Sequence, residues 1–191
     1  MSDKQLVTDD TKLHLGGNYN VNDPETFTTT VWDYVIQKFN IASVLDLGSA
    51  YGYSSQYFHE KGLITLAVDG LEQNVINAVY PTLLQDLTNG PVSTRVDLVH
   101  CQEMVEHIDE QYLDHLLDSL ACGQYILMTN ALPGQGGYHH VNEQPTEYWI
   151  DHLTQRGFEY LETESLHIRD LADQNKNPYM AKTGSLFCRQ T

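Results

Sequence analysis

Ala42-Ser43-Val44-Leu45-Asp46-Leu47-Gly48-Ser49-Ala50-Tyr51-Gly52 is a short apolar strand that runs straight into a turn with glycine at each end. Branched and leucine side chains suit the strand, and glycine reaches the backbone angles that a tight turn needs. Apolar runs and helical spacings then take turns on both sides of it. Asp23-Pro24-Glu25 predicts a helix start, with Phe27, Val31, Tyr34, Val35 and Phe39 following at helical spacing to about Lys38. Ser54–Lys61 predicts a helix ended by Gly62, and Leu63–Val68 a second strand ending at Asp69. Leu71–Val79 reads as a short helix closed by Pro81, and Thr82–Gln85 as a third strand ending at Asp86.

Val96–His100 and Gln124–Thr129 are the fourth and fifth strands, separated by a helix that Asp109 caps and Gly123 stops. A helix near Pro145–Arg156 comes next. Phe158–Leu166 and Ser185–Arg189 form the last two strands, joined by a polar stretch. The alternation predicts an α/β fold: a doubly wound, mostly parallel seven-stranded sheet with a terminal β-hairpin.

The 191 residues suffice for one domain with a core. Residues 1–22 read as a polar lead-in with a turn at Gly16-Gly17-Asn18, and residues 23–191 as a single domain. Asp and Glu number 26 against 10 Lys and Arg, a net charge of −16 that repels phosphate backbones and argues against a nucleic-acid polymer as partner. The N-terminal residues lack a secretory pattern, and no apolar run reaches the ~20 residues that span a bilayer, so a cytoplasmic protein without a membrane partner is expected. Cys101, Cys122 and Cys188 are widely spaced and predict buried free thiols.

In doubly wound sheets ligands bind beyond the carboxyl ends of the strands. Asp46, Asp69 and Asp86 all fall there, and a carboxylate after the second strand suits paired ribose hydroxyls. The first loop is not the dinucleotide fingerprint, since Ala50 stands where a second glycine is required. Instead VLDLGSAYG, Val44–Gly52, resembles the first motif of the class I S-adenosylmethionine-dependent methyltransferases. AVDG at Ala67–Gly70 resembles their second motif, and QDLT and VDLVHCQEMVEHI resemble the third and fourth.

The resemblance covers roughly Val44 to Phe158 and implies a Rossmann-like fold with S-adenosylmethionine as cofactor. It implies that Asp46 and the backbone of Gly48, Ser49, Ala50, Tyr51 and Gly52 hold the methionyl part. Asp69 takes the ribose, Gly70 and Leu71 lie beside the adenine, and Asp86 and Leu87 meet the adenine amino group and ring. Cys101 and Gln102 line the sulfonium end. Tyr19, Trp32 and Tyr51 are candidates to cover the cofactor.

A second group follows the fourth strand. If Glu103-Met104-Val105-Glu106-His107 is a helical turn, Glu103, Glu106 and His107 share a face, and a later Gly-rich loop delivers His139 and His140. Mixed carboxylate and imidazole ligands suit a divalent cation such as Mg2+ or Mn2+. The pattern is similar to that of two metal-dependent methyltransferase branches, one acting in ubiquinone synthesis and one on the terminal 2′-hydroxyl of small RNAs. His139, His140 and His100 are candidate general bases.

The expected function is O-methylation of a hydroxyl on a small molecule or sugar, aided by a divalent metal. Three alternatives stay open: metal-free N-, C- or O-methylation with a histidine base, 2′-O-methylation of a terminal nucleotide, and S-adenosylmethionine binding without turnover.

Overall fold

The computed structural model describes residues 4–190; residues 1–3 of the expected lead-in, and Thr191, lie outside the described residues. In chain order the elements are β1 (Leu6–Thr8), β2 (Gly16–Tyr19), α1 (Thr29–Phe39), β3 (Ser43–Leu47), α2 (Tyr53–Glu60), β4 (Ile64–Asp69), α3 (Glu72–Asn77) and β5 (Thr82–Leu84). Then come β6 (Val96–Cys101), α4 (Leu113–Leu120), β7 (Gly123–Met128), α5 (Thr146–Gln155), β8 (Phe158–Tyr160), α6 (Glu162–Gln174), α7 (Pro178–Thr183) and β9 (Ser185–Arg189).

Seven strands form one sheet in the order β5-β4-β3-β6-β7-β9-β8. Strands β3 to β7 pair in parallel, and β9 runs antiparallel between β7 and β8. Chain order reverses between β3 and β6, which puts the topological switch point at the ends of those two strands.

Side chains of successive strand residues point to opposite faces. Val44, Leu98, Leu127 and Leu186 therefore pack with Val31, Trp32 and Val35 of α1, Phe58 of α2, and Ile168 and Ala172 of α6. On the other face Leu45, Leu47, Val99 and Ile126 pack with Leu116, Leu117 and Leu120 of α4 and Trp149 and Leu153 of α5. Asp46 and His100 are register partners on β3 and β6, so both project to the α1 side.

Three expectations change. Helix α1 begins at Thr29, because residues 23–27 close a turn in which Thr26 N and Phe27 N donate to the Asp23 carbonyl. The polar stretch before the last strand is helical: α6 and α7 join β8 to β9, so the terminal antiparallel pair is not a simple hairpin. Strand β8 also stops at Tyr160, where Leu161 N turns to donate to the Leu186 carbonyl.

The N-terminal segment contains structure of its own. Strands β1 and β2 pair antiparallel, with Gly16 and Gly17 both at positive φ inside β2. Val7 and Leu15 are buried with Leu71, which fixes this hairpin over the start of α3.

Candidate functional site

A cavity of about 260 Å³ opens at the carboxyl ends of β3, β4 and β6. Asp46, Gly48, Ser49, Ala50, Tyr51, Asp69, Gly70, Asp86, Leu87, His100, Gln102, Glu103 and His107 line it, all of them singled out from the sequence. Its opposite wall comes from residues 14–19 of the hairpin and from Asp23, Thr26, Phe27 and Trp32.

The loop after β3 turns through Gly48 (φ 76°), Ala50 (φ 51°) and Gly52 (φ 75°). A Cβ on Gly48 would lie 2.6 Å from Met104 Cγ, so glycine is needed for the close approach as well as the turn. Asp69 accepts from Ala50 N (2.8 Å), Leu71 N (2.9 Å) and Asn74 Nδ2 (3.0 Å), and thereby locks the loop to the end of β4. Asp69 is only 8% exposed, and burial raises its pKa to about 6 against the opposing pull of these hydrogen bonds.

The other two acids are more occupied than the sequence suggested. Asp46 lies beneath the loop, with Oδ2 accepting from Ser54 Oγ and Ser55 Oγ and Oδ1 against His100 Nδ1. Asp86 accepts from Thr88 N and Oγ1, and also meets His14 Nε2 (3.1 Å) and Lys12 Nζ (3.3 Å) from the hairpin. Burial pushes the Asp86 carboxyl up, yet Thr88 and His14 outweigh it and leave it below its ordinary value. Lys12, His14, Asn18 and Asn74 carried no sequence signal for the site. Of the polar lead-in the sequence offers only Tyr19 for the site, as a cover for the cofactor, and Tyr19 lines the cavity together with Trp32 and Tyr51.

Three expected cofactor residues do not line the cavity. Gly52 caps α2 with Tyr80 packed against it, and Leu71 is buried with Val7 and Leu15. Cys101 points into the apolar cluster on the α4 side, because it follows His100 on the strand; burial pushes its thiol well up.

The metal group is rearranged. Glu103 has a left-handed backbone (φ 49°), and only Val105–His107 forms a 3-10 turn, so the expected shared helical face does not exist. Glu106, His107 and His140 offer ligand atoms within 4.8 Å of one another, whereas Glu103 and His139 lie outside that group. The Glu106 carbonyl accepts from Val141 N and Asn142 N, both at 3.0 Å, which pins the loop after β7 beside the 3-10 turn. His107 and His140 rings then meet edge to face at 5.0 Å.

Glu106 is 0% exposed, and its carboxylate meets no side-chain donor among the described residues, only the backbone of Glu106 and Ala131 bearing on it; His107 Nδ1 has no partner among them. Burial, with the Glu103 charge adding, drives the Glu106 carboxyl well up. Burial, with His140 and His139 adding, lowers His107 to about 4. A buried carboxyl without a side-chain donor beside a neutral imidazole is a donor set that a divalent cation would satisfy.

Of the three histidines named as bases, only His100 lines the cavity. Its Nδ1 is held by Asp46, its ring is wedged against Trp32 and Phe58, and its Nε2 has no partner among the described residues. His140 is engaged by Glu143 at 3.2 Å, and neither it nor His139 reaches the cavity wall.

This sheet order, with its ligand cavity at the switch point, is the Rossmann-like methyltransferase fold. Among solved structures, a SAM-dependent methyltransferase from Archaeoglobus fulgidus is 16% identical with a TM-score of 0.60, covering 88% of this chain and 95% of that one. Magnesium protoporphyrin IX methyltransferase from Synechocystis PCC 6803 with bound SAM is 18% identical with a TM-score of 0.54, covering 70% and 69%. The plantazolicin methyltransferase BpumL, in complex with a pentazolic desmethylPZN analogue and SAH, is 15% identical with a TM-score of 0.57, covering 88% and 83%. No family model matches the sequence, and no curated protein matches it. No helix among the described residues is long and apolar enough to cross a membrane.

Proposed function

We propose that this chain is an S-adenosylmethionine-dependent methyltransferase acting on a hydroxyl of a small molecule or sugar, with a divalent cation, Mg2+ or Mn2+, at Glu106, His107 and His140. The observation that carries the reading is one continuous cavity that runs from Asp86 and Asp69 past the Gly48 loop to His107. The cofactor supplies an electrophilic methyl group on a sulfonium. The cation supplies a Lewis acid that lowers the pKa of a hydroxyl.

The chain's own residues do the positioning. Asp69 offers carboxylate lone pairs to ribose hydroxyls, and the Gly48–Gly52 backbone lets a ligand approach closely. Leu87 and Leu15 give apolar walls at the Asp86 end. Gln102 is part of the cavity lining, and its buried amide nitrogen and oxygen both lack partners among the described residues. Methylation of an acceptor hydroxyl would require a group on this chain to take the hydroxyl proton. His100 lines the cavity and would take that proton, its Nδ1 held by Asp46 and its Nε2 buried without a partner among the described residues.

The test is calorimetry with S-adenosylhomocysteine, followed by transfer of labelled methyl with and without chelator. Tight binding with chelator-sensitive turnover supports the full reading. Turnover that survives chelation would leave a metal-free enzyme with His100 as base, the second reading that this geometry favours.

A further inference from the structure

Helix α3 buries one side chain, and that side chain is polar. Asn74 is 2% exposed, whereas every other residue of Glu72–Asn77 is at least partly open to solvent. Burying an amide is costly unless its NH2 and its C=O both find partners, and here both do. Nδ2 donates to Asp69 Oδ1 (3.0 Å) and to Asn18 Oδ1 (3.0 Å), while Oδ1 accepts from Asn18 Nδ2 (3.3 Å). The two asparagine amides pair reciprocally, and the remaining bond of Asn74 goes to the carboxylate.

We infer that Asn74 is a positioning residue for Asp69, that Asn18 of the β1–β2 hairpin completes it, and that filling the ribose subsite thereby latches the hairpin over the cavity. This rests on the reading of Asp69 as the acceptor for ribose hydroxyls; it adds the side chains that hold that carboxylate and the segment that responds to it.

The direction of the amides is set from the carboxylate outward. An ionised carboxylate only accepts, so it faces the NH2 of Asn74. The Asn74 oxygen is then left toward the hairpin, where it takes the NH2 of Asn18. Asp69 is otherwise held by backbone, Leu71 N on Oδ1 (2.9 Å) and Ala50 N on Oδ2 (2.8 Å), so Asn74 is its one side-chain donor among the described residues. Asn18, Asn74 and Asp69 all line the cavity.

Asn18 is carried by a strand laid close against the site. It follows Gly16 (φ 98°) and Gly17 (φ 93°), and a Cβ on Gly17 would lie 2.9 Å from His107 Cε1. Strand β2 pairs with β1 and with no strand of the main sheet, so the amide pair is a direct link from the hairpin to the ribose carboxylate. A ligand hydroxyl donating to Asp69 favours its ionised form, keeps Asn74 turned toward it and so keeps Asn18 paired. Linkage makes the effect reciprocal: cutting the latch must weaken the ribose by the factor that the ribose strengthens the latch.

The test uses the full chain, with S-adenosylhomocysteine, adenosine and 2′,3′-dideoxyadenosine as probes in calorimetry at neutral pH. Asn18→Ala cuts the latch at a partly exposed strand position and should weaken S-adenosylhomocysteine and adenosine about tenfold, the scale of a lost hydrogen-bonded pair. The dideoxy probe lacks the hydroxyls and should bind wild type and variant alike, whereas a hairpin that only walls the cavity would lose all three probes together. Asn74→Ala should repeat the pattern, and the double variant should be no weaker than Asn74→Ala alone. In hydrogen exchange, S-adenosylhomocysteine should slow residues 16–19 by about fivefold or more in the wild type and not in Asn18→Ala. Equal loss of the dideoxy probe, unchanged adenosine affinity in Asn18→Ala, or additive losses in the double variant would overturn the latch and leave the methyltransferase reading in place. Failure of the wild type to bind S-adenosylhomocysteine would remove that reading, and the latch with it.

Discussion

The Asp46 carboxylate and the His100 imidazole face each other across neighbouring parallel strands, Oδ1 to Nδ1 at 2.7 Å, with side chains 2% and 5% exposed. Burial alone would raise the Asp46 pKa; His100, Ser54 and Ser55 outweigh it and hold the carboxyl below 3.8. The stabilisation is therefore present above pH 3.8 and is lost as pH falls through the lowered value. Asp46→Ala should cost about 3–5 kcal/mol in urea unfolding at neutral pH, the penalty for leaving a buried partner alone. Wild-type stability in the variant would show that the pair does not anchor the two strands.

At Gly48 the expected defect is in binding first. Alanine there meets a φ of 76° and Met104 Cγ at 2.6 Å. The backbone cost is about 1–2 kcal/mol, and Met104 must swing toward the cavity. Calorimetry of Gly48→Ala should show S-adenosylhomocysteine affinity reduced about tenfold or more, equivalent to ~1.4 kcal/mol.

Asp69 has a pKa raised from 3.8 to about 6, so the folded protein prefers its protonated form. Its stabilising contribution is complete below pH 3.8 and disappears as pH rises through about 6. Ligand binding runs the other way, because ribose hydroxyls need the carboxylate as acceptor. S-adenosylhomocysteine affinity should fall as pH drops below about 6, and Asp69→Asn should abolish that dependence. A wild-type affinity that is flat from neutral pH down to pH 4 would separate Asp69 from the ribose.

Glu106 is tested by cation-dependent melting. Mn2+ at 100 times its dissociation constant should stabilise the wild type by about 2.7 kcal/mol. Glu106→Gln should lose that increment and keep its affinity for S-adenosylhomocysteine, since Glu106 lies outside the cavity wall. An undiminished Mn2+ effect in the variant would exclude Glu106 as a ligand.

What could be read from the sequence was local. The strand, turn and acid of β3 and β4 are specified by neighbours within a few residues, and the Gly48 loop and Asp69 stand where that pattern puts them. Helix α6 escaped because Glu162–Gln174 shows only a narrow apolar face, Ile168 and Ala172 with Ser165, inside a polar run. Glu103 was misplaced because its left-handed backbone depends on Thr129, a partner 26 residues away. His140 reaches His107 through hydrogen bonds from the backbone of Val141 and Asn142, which no side-chain pattern encodes. Nor did the lead-in reveal that Lys12 and His14 would seek Asp86, a match formed across more than 70 positions.

The hairpin β1–β2 supplies one wall of the cavity but pairs with no strand of the seven-stranded sheet. Its footholds are side-chain contacts rather than strand pairing: Lys12 and His14 on Asp86, Asn18 on Asn74, Val7 and Leu15 against Leu71, and Gly17 beside His107. Substitutions in this segment can thus reshape the ligand site without entering the packed layers that hold the sheet together. The cavity therefore joins a wall built on the sheet to one that can change shape without disturbing the sheet's own strand pairing.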